Sequence, residues 1–170
     1  MGILKDRFKA KADEMTIEIK NLLKENGNKK IGDVHLSQVY QGMRGITGLV
    51  SETSLLDAQE GIRFRGYSIP ELREKLPKAR GGDEPLPEGL FYLMLVGELP
   101  TEEEVNHVTD ILQRRSHVPN HVFAAIDALP LNTHPMTMFV IGVMALQTES
   151  YFAKAYAEGI NKKGLLASHI

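Results

Sequence analysis

The sequence feature that most constrains the fold is a run of seven consecutive apolar residues, Leu90–Val96. A run of this length is too short to span a membrane, which takes about 20 residues in a helix. Pro87 suits the first turn of a helix and Gly97 suits its end. The run therefore predicts a buried helix with apolar residues on every side, which further elements must surround.

Amphipathic helices are predicted on both sides of this run. Apolar residues recur every three or four positions from Leu4 to Leu22, which predicts an N-terminal helix that Gly27 ends in a left-handed conformation. Further helix starts are predicted where a hydroxyl residue precedes a glutamate by three positions, as in a capping box. These pairs are Ser68 with Glu71 and Thr101 with Glu104.

The C-terminal third of the chain is predicted to be helical as well. A short helix follows Pro119, and a longer helical pattern covers Met136–Leu146. The pattern leaves open whether this helix breaks near Thr148 or continues, and Gly159 is predicted to stop it.

Residues 49–66 have a different pattern, with alternating and β-branched residues on both sides of a short polar stretch. They predict one small β-hairpin in which Gly61 takes the turn position with positive φ. The predicted fold class is therefore all-α, or mainly helical, with one small hairpin. No internal repeat or clear domain boundary is visible.

Composition excludes several classes of function. The formal net charge of −2 gives no excess of basic residues for general nucleic-acid binding. The chain has no cysteine, which excludes disulfides and thiolate chemistry and favours a cytoplasmic location. No stretch has the long apolar run that a membrane span or a secretory signal requires.

No metal site is predicted. His117 and His121 have a helical i, i+4 spacing, but Pro119 lies between them and moves the preceding residue away from helical geometry. His134, before Pro135, is a possible base, but no nucleophile or paired acid accompanies it. We therefore predict that His134 bonds to backbone at the start of a helix.

Arg44 is the strongest candidate for ligand binding. Gly42, Gly45 and Gly48 lie around it and allow the backbone to turn tightly. Two roles remain open from spacing alone: a bidentate contact to a phosphate, and a salt bridge to a nearby carboxylate, which is the more common arrangement.

Other charged residues near the predicted hairpin have ordinary interpretations. Arg63 and Arg65 alternate with apolar residues, so they are predicted to form a solvated or interfacial face of a strand. Three carboxylates could pair as in a glycoside hydrolase, but residues near a turn are more often turn and surface residues. They are Glu52, Asp57 and Glu60.

Five segments of the chain carry a specific pattern when taken together. The segments are GMRG at 42–45, GLVSETSLLDAQEGIRFRGYSIPELREKLP at 48–77, GGDEPLPEGLFYLMLVGELPTEEEV at 81–105, NTHPM at 132–136 and ESYFAKAYAEGI at 149–160. They resemble citrate synthases of the long-chain, mitochondrial-like type. The resemblance extends over about residues 35–162, with the segments in family order and at family-like spacing.

This resemblance implies part of the citrate synthase large domain, from an acyltransferase of the tricarboxylic acid cycle that works as a homodimer. The family condenses acetyl-CoA with oxaloacetate to form citrate, with acetyl-CoA as a substrate and no separate cofactor. A carboxylate and two histidines perform the proton transfers and polarise the carbonyl groups. The family motifs that carry them do not occur here, so no catalytic residue is assigned.

Two residues match family positions that bind CoA. Arg44 corresponds to the arginine of the Gly-Met-Arg-Gly motif that contacts a CoA phosphate. Lys162 stands where the family has a basic residue that reaches CoA phosphate from the partner subunit, although Lys lacks the bidentate geometry of Arg. The resemblance therefore favours the phosphate role for Arg44 over the salt bridge.

Similarity to the family stops after Lys163. We therefore expect residues 1–163 to form the N-terminal part of the large domain and 164–170 to be a divergent tail, from truncation, a frameshift or a true short paralogue. A chain of this kind is expected to be inactive alone and to expose the apolar faces of Leu90–Val96 and Met136–Leu146. The alternative is a helical interaction module that pairs with full-length citrate synthase without catalysis. Specificity for citrate or methylcitrate stays open.

Overall fold

The computed structural model describes residues 2–160 of the chain, which divides into two compact units, Met1–Val108 and Thr109–Ile170. It is 56% helical with one small antiparallel sheet, which confirms the predicted fold class. In chain order the helices are α1 (Ile3–Asn26), α2 (Leu36–Tyr40), α3 (Ile69–Lys75), α4 (Pro87–Val96), α5 (Glu102–Arg114), α6 (Asn120–Asp127), α7 (Pro135–Ala145) and α8 (Tyr151–Ala157).

The sheet of the first unit contains the predicted hairpin and one further strand. Its strands are β1 (Ser54–Asp57), β2 (Gly61–Phe64) and β3 (Tyr67–Ser68), in that spatial order. Ser54 pairs with Phe64 and Asp57 with Gly61, whose φ of 85° is the positive value predicted from the sequence. The sequence did not predict β3, because a strand of two residues leaves no alternating pattern.

The core of the first unit forms around α4, as the apolar run predicts. Leu93 is fully buried and packs with Leu72 and Leu76 of the α3 segment, while Tyr92 and Val96 are 1% and 2% exposed. The expected exposure of Leu90–Val96 is therefore wrong, except at Phe91, which is 45% exposed. Elements of the same unit cover this helix, so its burial needs no further polypeptide.

The capping boxes form where the sequence predicts them. The backbone N–H of Ser68 donates to the Glu71 carboxylate at 2.8 Å, and that of Thr101 donates to Glu104 at 2.9 Å. The prediction for Gly27 is wrong: its φ is −59°, so it continues the right-handed turn and its N–H bonds to the carbonyl of Leu23. Helix α1 ends without a left-handed residue.

Helix α1 is held against the first unit by its N-terminal part. Leu4 is buried there, and the Arg7 Nε lies 3.4 Å from the Oε1 of Glu104 in α5. The apolar residues of its C-terminal part are exposed, with Leu22 at 60% and Leu23 at 61%. The sequence pattern predicts the amphipathic face but not how far along the helix that face is covered.

The second unit is built on contact between α6 and α7. Gly142 allows this approach, because a Cβ built there would lie 3.0 Å from the Cδ1 of Ile126. The long helical pattern breaks after α7 into a 3₁₀ turn, Leu146–Glu149, before α8. This break resolves the alternative left open by the sequence, and the positive φ of 87° at Gly159 fits the predicted stop.

Helix α7 exposes most of its large apolar side chains, as the sequence predicts for Met136–Leu146. The exposed residues include Met136, Phe139, Val140, Val143 and Met144. His134 caps the helix: its Nδ1 accepts a hydrogen bond from the backbone N–H of Met136 at 3.2 Å, which confirms the predicted backbone role.

Candidate functional site

The candidate site is the turn that follows α2 and carries Arg44. Three of its residues have positive φ: Gly42 at 72°, Met43 at 62° and Gly45 at 69°. Left-handed backbone is unfavourable for a residue such as Met43, so surrounding contacts must hold it. The backbone N–H of Met43 donates to the carbonyl of Gln38 at 2.8 Å, which closes the turn onto α2.

The side chain of Gln38 fixes this turn from both ends. Its Oε1 accepts a hydrogen bond from the backbone N–H of His35 at 2.9 Å, before the first residue of α2. Its Nε2 donates to the backbone carbonyl of Arg44 at 3.3 Å. One amide group therefore joins the start of the helix to the backbone of the candidate residue, and this role was not predicted from the sequence.

Arg44 itself is exposed, and its guanidinium makes no ion pair with any carboxylate within residues 2–160. It is also the single Lys, Arg, Asp or Glu between Asp33 and Glu52. The salt-bridge alternative is therefore not formed in the described part of the chain. The guanidinium is left available for an anion.

The other predicted residues lie apart from this turn or outside the described residues. Lys162 falls outside the described range, as does the predicted tail 164–170. Asp57 is a turn residue, as predicted: its Oδ1 accepts hydrogen bonds from the N–H groups of Gln59 and Glu60 at 2.7 and 2.9 Å. These bonds lower the pKa of the Asp57 carboxyl. The Asp57 carboxylate therefore bonds to the backbone of its own turn.

The predicted strand position of Arg65 is wrong. Arg65 and Gly66 have φ values of 48° and 88° and form the tight turn between β2 and β3. Two successive positive φ values are typical of a type I′ turn. Arg63 does lie on β2, where its guanidinium pairs with Glu60 at 3.1 Å. The Arg-Gly pair before Tyr67 was the available sequence signal for this turn.

A buried polar group joins three helices of the first unit. The Tyr92 hydroxyl of α4 donates to Oε1 of Glu104 in α5 at 2.5 Å, next to Arg7 of α1. Burial, followed by the bond to Glu104, raises the pKa of Tyr92. Burial would also raise the pKa of Glu104, but hydrogen bonds from Thr101 and Tyr92 and the charge of Arg7 outweigh it and lower that pKa. The pair joins α4 to α5 within the first unit.

The described residues contain neither a metal-binding cluster nor a membrane-spanning helix. No group of three or more His, Asp or Glu side chains within residues 2–160 is arranged to hold a metal ion. None of the described helices is both long and apolar enough to cross a membrane. His121, a residue of the weak metal pattern, instead has its Nε2 3.0 Å from the carbonyl of Ala145.

Comparison with known proteins gives the family. Residues 42–168 match the sequence profile "Citrate synthase, C-terminal domain". The chain is 53% identical over 160 residues to the mitochondrial citrate synthase of Saccharomyces cerevisiae, which covers 94% of this chain and 33% of that protein. The chain belongs to the citrate synthase family. The resemblance seen in the sequence is confirmed.

Other citrate synthase relatives match equally well. The mitochondrial citrate synthase of Daucus carota is 52% identical over 94% of this chain and 34% of its own length. The mitochondrial 2-methylcitrate synthase of Yarrowia lipolytica has the same identity and coverage. The chain thus spans about a third of the length of the curated relatives it matches. The expected cytoplasmic location is wrong, because these relatives are named as mitochondrial proteins.

Proposed function

We propose that this chain forms part of a citrate synthase and that Arg44 contacts a phosphate of CoA. The observation that carries the proposal is the exposed guanidinium of Arg44, which pairs with no carboxylate within residues 2–160 and lies on a constrained Gly-Met-Arg-Gly turn. The chain that holds it is 53% identical to a citrate synthase. The comparisons do not favour the alternative of a non-enzymatic interaction module.

The geometry explains how the turn would serve phosphate binding. A guanidinium presents parallel N–H donors that match two phosphate oxygens. Because Gln38 and the closed turn fix the Arg44 backbone, less conformational freedom is lost when the phosphate binds. The ten positions before Arg44 and the seven after it carry no Lys, Arg, Asp or Glu, so no carboxylate close in sequence competes with the phosphate for the guanidinium.

Replacing Arg44 tests this proposal. The Arg44→Gln variant is expected to bind CoA about 10- to 100-fold more weakly than the unaltered chain, since a hydrogen bond to a charged group contributes about 1.5–3 kcal/mol. Isothermal titration calorimetry with CoA measures the change. The matched control is Arg80→Gln, which removes the same charge from an exposed loop. Equal losses in the two variants, or none in Arg44→Gln, would reject the role of Arg44.

We also propose that the chemistry uses acetyl-CoA and oxaloacetate and is completed by polypeptide outside this chain, because the catalytic motifs of the family do not occur in it. The chain alone is expected to form no citrate. Released CoA is easily followed with a thiol reagent, since the chain has no cysteine of its own. Turnover near the rate of an intact synthase would disprove this division of the site. Propionyl-CoA in the same assay on the intact enzyme tests the 2-methylcitrate reaction.

Three further properties of the intact enzyme are part of this proposal. Lys162 would reach a CoA phosphate from the partner subunit in a homodimer. Sedimentation tests the homodimer, and CoA titration of a Lys162→Gln variant tests the phosphate contact. The names of the relatives support a mitochondrial location for the chain. Cell fractionation tests that location.

A further inference from the structure

Arg65 has an unusual backbone conformation, which the contacts of its side chain explain. Its φ is 48°, and besides Met43 it is the one residue other than glycine with positive φ in residues 2–160. Two-residue turns of this type favour Asn or Gly at that position. Unfavourable backbone of this kind persists where surrounding contacts require it, and such sites are often functional.

The guanidinium of Arg65 binds the C-terminal end of α4. Its Nε and Nη2 both donate to the backbone carbonyl of Met94, at 3.2 and 2.8 Å. This carbonyl lies in the last turn of α4. The helix ends before the residue whose N–H would bond to it, so the Arg65 side chain supplies the donors. The group also lies against Gly97, where a Cβ would come within 3.7 Å of the Arg65 Cζ. The side chain is only 14% exposed.

Arg65 also holds the segment that leads from Arg44 into the sheet. Its Nη1 donates to the carbonyl of Glu52 at 3.4 Å and lies 3.9 Å from the Glu52 carboxylate. Its backbone N–H donates to the carbonyl of Thr53 at 2.9 Å. Residues 46–53 form no helix or strand. The segment is therefore held at one end by Gln38, through Arg44, and at the other end by Arg65.

We propose that Arg65 is a positioning residue for CoA binding: by joining Glu52 and Thr53 to the rigid end of α4, it limits where the Arg44 turn lies. This inference rests on the proposed CoA role of Arg44. Arg65 makes no contact with the ligand itself. Its contribution is to raise the fraction of molecules in which Arg44 is ready to bind, which lowers the apparent Kd by the same factor.

The decisive variant is Arg65→Asn. Asn is favoured in a left-handed turn, so the variant keeps the turn between β2 and β3 while it removes the guanidinium. The matched control is Arg63→Asn, which removes the same charge from the neighbouring strand. Because the chain has no cysteine, Thr47→Cys and Phe91→Cys can carry two spin labels, one in the segment and one on α4. Electron–electron distance measurements then report the spread of segment positions.

We expect Arg65→Asn to broaden the label distance distribution about twofold and to raise the Kd for CoA about tenfold, as when the competent population falls to about a tenth. Arg63→Asn is expected to change neither. An unchanged distribution in Arg65→Asn, or equal broadening in both variants, would overturn the positioning role. So would an unchanged Kd in Arg65→Asn where Arg44→Gln weakens binding.

These measurements separate the two proposals. If CoA affinity does not depend on Arg44, the proposed function fails, and the positioning of a CoA site by Arg65 fails with it. The label distances alone then show whether Arg65 anchors the segment. If CoA affinity depends on Arg44 but not on Arg65, the proposed function stands and the further inference fails.

Discussion

Helices α4 and α7 are both strongly apolar but differ in how much of their surface is covered. Both have apolar residues on nearly every face. In α4, Tyr92, Leu93 and Val96 are at most 2% exposed, whereas in α7 Phe139 is 64% and Met144 67% exposed. An apolar helix thus indicates that a covering surface exists, but not which part of a polypeptide supplies it.

The reason for the difference lies in the neighbours that each unit provides. Helix α4 packs with the α3 segment and the sheet, through Leu72, Leu76 and Phe64. In the second unit, contact with α6 covers α7 mainly at Gly142. An exposed apolar face marks an interaction surface, whereas a buried one stabilises the fold of the chain itself. Mutations in the two helices should therefore differ in their effect on the stability of this chain.

The largest effect is expected from Leu93→Ala in α4. Leu93 is fully buried, and removal of its side chain leaves a cavity between α3 and α4. The free energy of unfolding should fall by about 3–4 kcal/mol, within the range for buried leucines. Urea denaturation followed by circular dichroism measures it. Phe91→Ala in the same helix is the control, and a loss below about 1 kcal/mol for Leu93→Ala would contradict the burial of α4.

An intermediate effect is expected from Glu104→Gln, which removes the charge that Tyr92 and Thr101 stabilise beside α4. The loss should be about 1–3 kcal/mol near neutral pH, because a buried donor is left poorly paired. The pKa of Glu104 is lower in the folded than in the unfolded chain. Its contribution is therefore complete above the ordinary carboxyl pKa of about 4.3 and is lost as pH falls through the lower folded value.

The pH dependence gives this prediction a sharper control. Wild-type stability should decline below about pH 4.3 more steeply than that of Glu104→Gln. Glu103→Gln removes an exposed carboxylate from the same helix and should retain the wild-type slope. Asp57, Glu71 and Glu84 also have lowered pKa values, so part of the decline remains in every variant. If stability falls equally steeply with pH in wild type and in Glu104→Gln, folding does not favour the ionised form of the Glu104 carboxyl.

Local chemistry explains which features could be predicted from the sequence. The capping boxes at Ser68 and Thr101 and the positive φ of Gly61 depend on residues within four positions of one another, so a short pattern contains them. Arg65 depends on a carbonyl 29 positions away, in Met94. No local pattern reveals that contact. For the same reason the apolar run predicts that α4 is buried but not that this chain itself supplies the residues that cover it.

The candidate site shows the same division. The glycines around Arg44 predict a tight turn, which the structure has, and the family resemblance supplied the phosphate role. The guanidinium of Arg65 was not predicted, because it donates to backbone carbonyls 13 and 29 positions away. Gln38 acts locally, on groups three and six positions away. It was missed because the capping-box pattern used here begins with a hydroxyl residue, whereas His35 precedes α2.

The smallest effect is expected from Phe139→Ala in α7. Phe139 is 64% exposed, so its removal leaves little cavity, and the free energy of unfolding of this chain should change by no more than about 0.5 kcal/mol. The same urea titration as for Leu93→Ala measures it, and Val143→Ala serves as a second exposed position. A loss above about 2 kcal/mol would mean that α7 is covered as fully as α4. If the intact enzyme covers this face with further polypeptide, the same substitution there should cost several times more than in this chain, because the ring would then be removed from a packed site.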